Sequence, residues 1–288
     1  MNQRPLVSVI IPTYNRESLL KDAILSVLMQ TYQNLELIII DDCSKDNTSG
    51  VVVKFNDVRV KYVKHDKNKG FSATRNTGIK NASGDCVLIL DDDDLMAPYA
   101  LEKLVKKMNQ STIENLGAVY GASWWVDDKK RTIKIINSKE NGNVFKEILK
   151  EQVFTNLLLK REVFEKVGLY DENLGGNGDF DFYLRLAKKY QFDFIGDIAT
   201  VIRKYGQAYL SAFSKAYLAE HKVILEKYVN VSLTGKNFLA RILPPKLYVK
   251  LSNLKNSIIY RLKLFFDSNI KKQIISLRKS FAENGVEI

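Results

Sequence analysis

One stretch limits what this chain can fold into: Gly70 to Asp94, GFSATRNTGIKNASGDCVLILDDDD. Its middle, Cys86-Val87-Leu88-Ile89-Leu90, is apolar without a polar break. A short run of that kind predicts a central strand of a parallel sheet covered on both faces. Ser72 to Ala82 before it predicts a helix with apolar points at Ala73, Ile79 and Ala82, ended by Ser83-Gly84-Asp85. Asp91, Asp92, Asp93 and Asp94 follow where the strand leaves the sheet.

Four adjacent carboxylates repel one another, and partial burial strengthens the repulsion. A hard divalent cation, Mg²⁺ or Mn²⁺, relieves it, because such ions take carboxylate oxygens and keep positions open for phosphate. The plainer expectation is a solvated turn in which Asp94 caps a helix with Pro98 in its first turn. One Asp would serve that purpose, so the four together favour the cation.

The flanking pattern is α/β. Leu6–Ile11, Leu35–Ile40 and Val58–Val63 read as strands, and Glu17–Gln30 as a helix with Leu20, Ile24, Val27 and Leu28 on one face. A short helix is expected within Ser44–Phe55. Strands alternating with helices imply a mainly parallel sheet between helical layers. Ligands of such sheets lie outside the carboxyl ends of the strands. Three polar clusters fall there: Thr13-Tyr14-Asn15, Asp41-Asp42 and Asp91 to Asp94, with Arg75 within reach. Neither GxGxxG nor GxxxxGK[ST] occurs, so no glycine loop is expected to hold phosphate. A cation is then the expected anchor of a nucleotide diphosphate.

With 288 residues, 45% of them hydrophobic, the chain can bury one large α/β domain and carry an appendage. Two cysteines, Cys43 and Cys86, without metal-ligand spacing point to a reducing cytoplasm. The apolar run at the N-terminus is too short for a signal peptide, and no run is long enough to span a bilayer. The net charge of +11 is concentrated in 236–280, with eleven Lys/Arg against the single acid Asp267. There Leu247, Leu251, Leu254, Ile258, Leu262 and Phe265 form one stripe after Pro244-Pro245, flanked by Lys250, Lys255 and Arg261. That pattern predicts an interfacial helix on an anionic membrane face, or else a helix packed on the domain. No base-stacking or groove-reading motif accompanies the charge, so nucleic acid is not an expected partner.

VSVIIPTYNR, IIIDDCS and GFSATRNTGI…ASGDCVLILDDDD, in this order, resemble the family 2 glycosyltransferases of the GT-A fold. The resemblance spans residue 6 to about 210. It implies a catalytic domain over 1–210, with a nucleotide-binding half to 95 and an acceptor half from 96, then a helical extension over 211–288. It also implies an inverting enzyme using a nucleotide-sugar donor, most often a UDP-sugar, and Mn²⁺ or Mg²⁺. The family's DxD motif falls on Asp91-Asp92-Asp93. Asp91 or Asp92 would contact ribose, and Asp93, with Asp91, would ligate metal. Pro12, Tyr14, Asp41 and Arg75 fall on nucleotide-binding positions, the last three at the base. Read without the resemblance, Tyr14 is a packed turn aromatic, Asp41 a turn carboxylate and Arg75 a helix-surface residue.

Later in the chain, Gly117–Gly121 and Arg131–Ile136 read as strands beside Trp124-Trp125, and Phe154–Leu159 as another, followed by a short helix from Arg161 to Val167. The two tryptophans suit sugar stacking, but core packing is expected of at least one. Leu174 to Leu186 is a glycine-rich loop opening an amphipathic helix, with Asp179 placed to N-cap it and Asp181 in its first turn. The segment resembles the family's acceptor-site motif, which puts the catalytic base on Asp179 and next on Asp181. Gly178 stands where that motif usually has Glu, and no His accompanies Tyr205, where many relatives carry one. His65 and His221 read as surface or packing residues. With neither a QxxRW-type motif nor spans, single addition is expected rather than polymerisation. The acceptor class implied is a glycan or a polyprenyl-linked saccharide. The alternatives are a sugar nucleotidyltransferase, a catalytically silent nucleotide-sugar-binding relative and a receiver-like phosphoacceptor domain. The first lacks its basic glycine loop here, and the last should be less than half this long.

Overall fold

The computed structural model describes residues 4–127, 132–136, 141–149, 156–203 and 215–229. The chain divides into two units, Met1–Glu220 and His221–Ile288. The expected boundary at 210 falls in 204–214, and the expected amphipathic helix within 236–280, both outside the described residues.

The first half alternates as its apolar runs dictate. β1 (Val7–Thr13), α1 (Glu17–Leu28), β2 (Leu35–Asp41), α2 (Thr48–Val53), β3 (Val60–Lys64), α3 (Phe71–Asn81) and β4 (Cys86–Ile89) follow in turn. Then come β5 (Asp94–Met96), α4 (Ala100–Gln110), β6 (Leu116–Asp127), β7 (Thr132–Ile136), α5 (Phe145–Leu149) and β8 (Leu158–Lys160). The last described elements are α6 (Glu162–Val167), α7 (Gly178–Lys189), β9 (Gln191–Arg203) and α8 (Lys215–Val229). The strand order is β3-β2-β1-β4-β8-β6-β9-β5, with β7 paired to β6. The block β3-β2-β1-β4 is parallel throughout. β8 joins β4 and β6 antiparallel, and β6 runs parallel to β9.

β1 and β2 are buried along their whole length, so successive residues serve opposite faces. Val7, Val9 and Ile11 share one core with Leu20, Ile24 and Val27 of α1 and with Leu101, Leu104 and Val105 of α4. Ile10 points the other way, toward α3. A Cβ on Gly78 would lie 2.3 Å from its Cγ2, so only glycine lets α3 approach the sheet this closely.

Three expectations are corrected. Asp94 caps no helix: it opens the short strand β5, opposite Ile202 of β9, and α4 begins only at Ala100. The strand expected over Gly117–Gly121 runs on to Asp127, carrying Trp124 and Trp125 along β6, because β9 pairs with it as far as Arg203. Neither tryptophan joins the buried core, and Trp124 is exposed.

Candidate active site

Parallel pairing puts Thr13 beside Asp41 at the carboxyl ends of β1 and β2, with β4 on the other side of β1. Every chain leaving these ends is braced by a neighbour. Asn15 and Cys43 both adopt left-handed backbone, with φ of 52° and 66°. Such φ values cluster at functional turns. The Asn15 N–H donates to Ser44 Oγ at 2.9 Å, and Asn15 Oδ1 accepts from the Lys45 N–H at 2.8 Å. Tyr14 is left exposed between them, while Pro12 is buried within β1.

The two β2 carboxylates are committed to protein donors. Asp41 has no exposed side-chain surface and accepts from Ser44 N–H at 2.7 Å and Tyr62 Oη at 2.6 Å. Asp42 accepts from the Lys69 and Gly70 N–H groups at 2.8 and 2.9 Å, and faces His65 Nδ1 at 2.7 Å. His65 reaches Thr77 of α3 through Nε2 at 3.0 Å. It is thus a buried clamp between the end of β2 and the middle of α3, with two polar partners that its sequence context does not reveal.

α3 buries Ser72, Thr74, Arg75 and Asn76, an unusual set for a helix against a sheet. Asn76 is satisfied by the backbone of Tyr170 and by Glu172. Arg75 is 5% exposed, with its guanidinium 3.8 Å from the Phe71 ring centroid and 5.4 Å from that of Tyr170. One terminal nitrogen donates to Asp91 Oδ1 at 2.9 Å, and the other donates to Asp179. Its burial lowers its pKa, but the charges of Asp179 and Asp91 outweigh that and hold it above the ordinary arginine value. Arg75 therefore joins the end of β4 to the start of α7.

Asp179 does not cap its helix. α7 begins at Gly178 after Asn177, and the Asp179 carboxylate turns to Arg75 instead. It keeps 35% of its side chain exposed, yet packed protein around it still pushes its pKa up. Arg75 opposes that shift and Asp91 adds to it. Asp181 is fully enclosed and accepts from Arg185 Nε at 2.7 Å. Gly178 is explained by space, since a Cβ there would come within 2.5 Å of Ser72 Oγ.

The consecutive aspartates diverge. Asp91 is 40% exposed and accepts from Arg75. Asp92 is buried and accepts from Thr13 Oγ1 at 2.7 Å and Arg16 Nη1 at 2.8 Å. Burial pushes its carboxyl up to about 6, although Arg16 and Thr13 pull it down. Asp93 shares the same Arg16 nitrogen at 2.8 Å. Burial and the charge of Asp91 push it up. Burial, Asp91 and Asp93 push Asp94 well up.

Residues 8–168 match the family described as Glycosyl transferase family 2. The chain belongs to that family. It is 37% identical over 155 residues to UDP-Glc:alpha-D-GlcNAc-diphosphoundecaprenol beta-1,3-glucosyltransferase WfgD of Escherichia coli, covering 54% of this chain and 55% of WfgD. It spans 59% of the length of two Rickettsia glycosyltransferases that match it. The crystal structure of S. aureus TarS 1-349 in complex with UDP-GlcNAc superposes with a TM-score of 0.68 at 18% identity, over 96% of this chain and 80% of that one. The mannosyltransferase PcManGT from Pyrobaculum calidifontis, in complex with GDP-Man and Mn²⁺, gives 0.58 at 21% identity, over 87% and 71%. The fold is thus GT-A.

Among the described residues no three His, Cys, Asp or Glu side chains form a group that could hold a metal ion alone. The donor chemistry at Asp91 and Asp93 nonetheless fits a divalent cation shared with a ligand. Both are hard carboxylates, both retain exposed surface, and Asp93 bears the repulsion of Asp91. Thr13 and Asp42 fall in the polar clusters expected at the strand ends, whereas the sequence pattern places neither Arg16 nor His65 at the site. The available signal for Arg16 was a lone cation directly after the β1 turn.

Proposed function

We propose that this chain is an inverting, divalent-metal-dependent glycosyltransferase. It moves a hexosyl or N-acetylhexosaminyl group from a UDP-sugar to a glycan or polyprenyl-linked acceptor. The observation that carries the proposal is the Arg75 bridge, in which one buried guanidinium holds both Asp91 and the part-exposed Asp179.

Tyr14, Pro12, Asp41 and Asp92 form the donor end of the crevice, and Asp91 and Asp93 would hold the cation. When bound, the cation neutralises charge on the diphosphate leaving group. Asp179 accepts the proton of the acceptor hydroxyl while that oxygen bonds to the anomeric carbon. The bond from that carbon to the diphosphate oxygen breaks on the opposite face, which inverts the centre. The raised pKa of Asp179 makes it a stronger base than a free carboxylate. Arg75 keeps its carboxylate aimed. Asp41, enclosed by Tyr62 and Ser44, would meet a base only after one of those partners moves.

WfgD, by its name, acts on a diphosphoundecaprenol-linked acceptor, and the basic 236–280 segment suits an anionic membrane face. Among the described residues no helix is long and apolar enough to cross a membrane, so peripheral docking is the form proposed.

The test is a thermal-shift panel of nucleotide diphosphates and their sugars, with and without Mn²⁺. At a hundredfold excess over Kd, UDP with Mn²⁺ should stabilise the fold by ~2.7 kcal/mol. Asp93→Ala should lose the metal-dependent part. A panel in which no nucleotide shifts the melt sinks the donor reading, and an unchanged response in Asp93→Ala removes Asp93 from the site.

A further inference from the structure

We infer that Arg16 is a built-in counter-cation that competes with a divalent ion for Asp93 and, once displaced, holds the diphosphate, so that metal and nucleotide load together. The inference rests on the donor and cation reading above.

A single Arg16 nitrogen, Nη1, lies 2.8 Å from Asp92 Oδ1 and 2.8 Å from Asp93 Oδ2. The two contacts are unequal in their surroundings. Asp92 is buried and its other oxygen is fixed by Thr13, so this end is anchored. Asp93 is more open, and Arg16 itself is 36% exposed. Arg16 directly precedes α1 and follows the left-handed Asn15, so its long side chain leaves a braced turn toward the end of β4. Each of Asp91, Asp92 and Asp93 therefore already has a guanidinium partner, Arg75 or Arg16.

A cation that takes Asp93 Oδ2 competes with Arg16 for it. It must displace the guanidinium or sit beside it against Coulomb repulsion, so the cation alone should bind weakly. The displaced guanidinium stays tethered near Asp92, next to the place where the leaving diphosphate would lie. Its planar fork suits phosphate oxygens. Neither the GxGxxG nor the GxxxxGK[ST] phosphate-loop motif occurs in the sequence. A diphosphate thus stabilises Arg16 in its displaced position and frees Asp93 for the cation. Reciprocal coupling between the two ligands follows from linkage.

The test is a titration of the full chain with Mn²⁺, reading free Mn²⁺ by electron paramagnetic resonance, with and without UDP, on wild type, Arg16→Gln and Arg16→Lys. Loss of one charge-assisted contact at a part-exposed site corresponds to about five- to tenfold in affinity. Arg16→Gln should bind Mn²⁺ alone about five- to tenfold tighter and bind UDP in saturating Mn²⁺ weaker by a similar factor. A disrupted fold would weaken both, so the gain in metal affinity is diagnostic. Arg16→Lys keeps the charge without the fork and should shift both values in the same directions by less. Arg16→Gln with wild-type or weaker Mn²⁺ affinity and an intact melt overturns the inference. If Arg16→Gln does not fold, an Arg16→Lys that matches wild type in both titrations overturns it. A wild type that binds no UDP under any metal condition removes the donor reading and the diphosphate role of Arg16 with it. The Mn²⁺ titration without UDP still decides the competition for Asp93.

Discussion

Asp179→Asn separates catalysis from architecture, because the structure sets very different sizes for the two effects. The substitution removes one charge and keeps the shape. Arg75 retains an oxygen to donate to, keeps Asp91 at 2.9 Å and keeps its face on the Phe71 ring. What goes is the charge assistance of one hydrogen bond, a difference of about 1 kcal/mol. Removing a carboxylate whose ionised form burial disfavours offsets part of that. The melting temperature should therefore move by no more than about 2–4 °C. Loss of a general base costs about 10²–10⁴-fold in rate. Asp181→Asn is the counterpart. Asp181 is enclosed and bonded to Arg185, which in turn donates to the carbonyls of Val167 and Leu169, so its loss should lower stability and leave turnover per folded molecule nearly unchanged. The assay is release of UDP from UDP-glucose and UDP-GlcNAc with Mn²⁺, run beside thermal melts. Wild-type turnover should rise with pH through a pKa above the free-carboxylate value of about 3.9, and the variant should lack that limb. Asp179→Asn retaining turnover within about tenfold, or Asp181→Asn losing as much with its fold intact, would refute the base assignment.

Burial holds Asp92 at about 6 against an ordinary 3.8, so the native state binds this proton more tightly than the unfolded chain. Its contribution to stability is present below about pH 4 and is lost as pH rises through about 6, a change of about 3 kcal/mol. Asp92→Asn should therefore gain stability relative to wild type across that window, and urea midpoints that keep a constant difference from pH 4 to 7 would contradict it. Gly178→Ala should cost about 1–3 kcal/mol through its clash with Ser72 Oγ and recover most of it in a Ser72→Ala background. Denaturation curves that add without coupling would mean the loop simply moves aside. The full chain should sediment with anionic vesicles at low salt and release at high salt, while a chain ending at Thr234 should not bind; equal behaviour of the two removes the docking role of the basic segment.

The parallel half of the fold is legible because its signals are local. The runs at β1, β2 and β4 are almost wholly apolar, broken internally only by Ser8 and Glu36, and are short enough to read as strands buried on both faces; turn residues separate them from helices with one apolar stripe. The second half is less legible because its strands are defined by partners far along the chain. β6 reaches Asp127 only because β9 lies beside it, and Asp94 is a strand residue only because Ile202 pairs with it. The capping expectation for Asp179 fails for a related reason. Local rules assign an Asp at a helix start to capping. Here a buried cation 104 positions away takes the carboxylate, and an ion pair to buried arginine is worth more than a cap.

The same distance rule explains why the pairing of Arg16 and Arg75 with the aspartates escapes a local reading, although Arg75 itself is legible as within reach of the crevice. Four carboxylates in a row announce themselves, but the cations that balance them sit 76 positions upstream at the end of β1 and 16 upstream inside α3. Sequence chemistry registers the repulsion and assigns all of its relief to a metal. The fold supplies part of that relief from its own arginines, one rigidly enclosed and one half-open. The difference in burial divides their roles. Arg75, wedged between Phe71 and Tyr170, cannot leave without exposing a cavity and stranding two carboxylates, so it fixes Asp91 and Asp179 in place. Arg16, anchored at Asp92 alone, can exchange Asp93 for another anion at little cost in packing. A site with one fixed and one exchangeable counter-charge has its carboxylates balanced only in part by its own arginines, and the residual repulsion that raises Asp93 and Asp94 is what a cation would relieve.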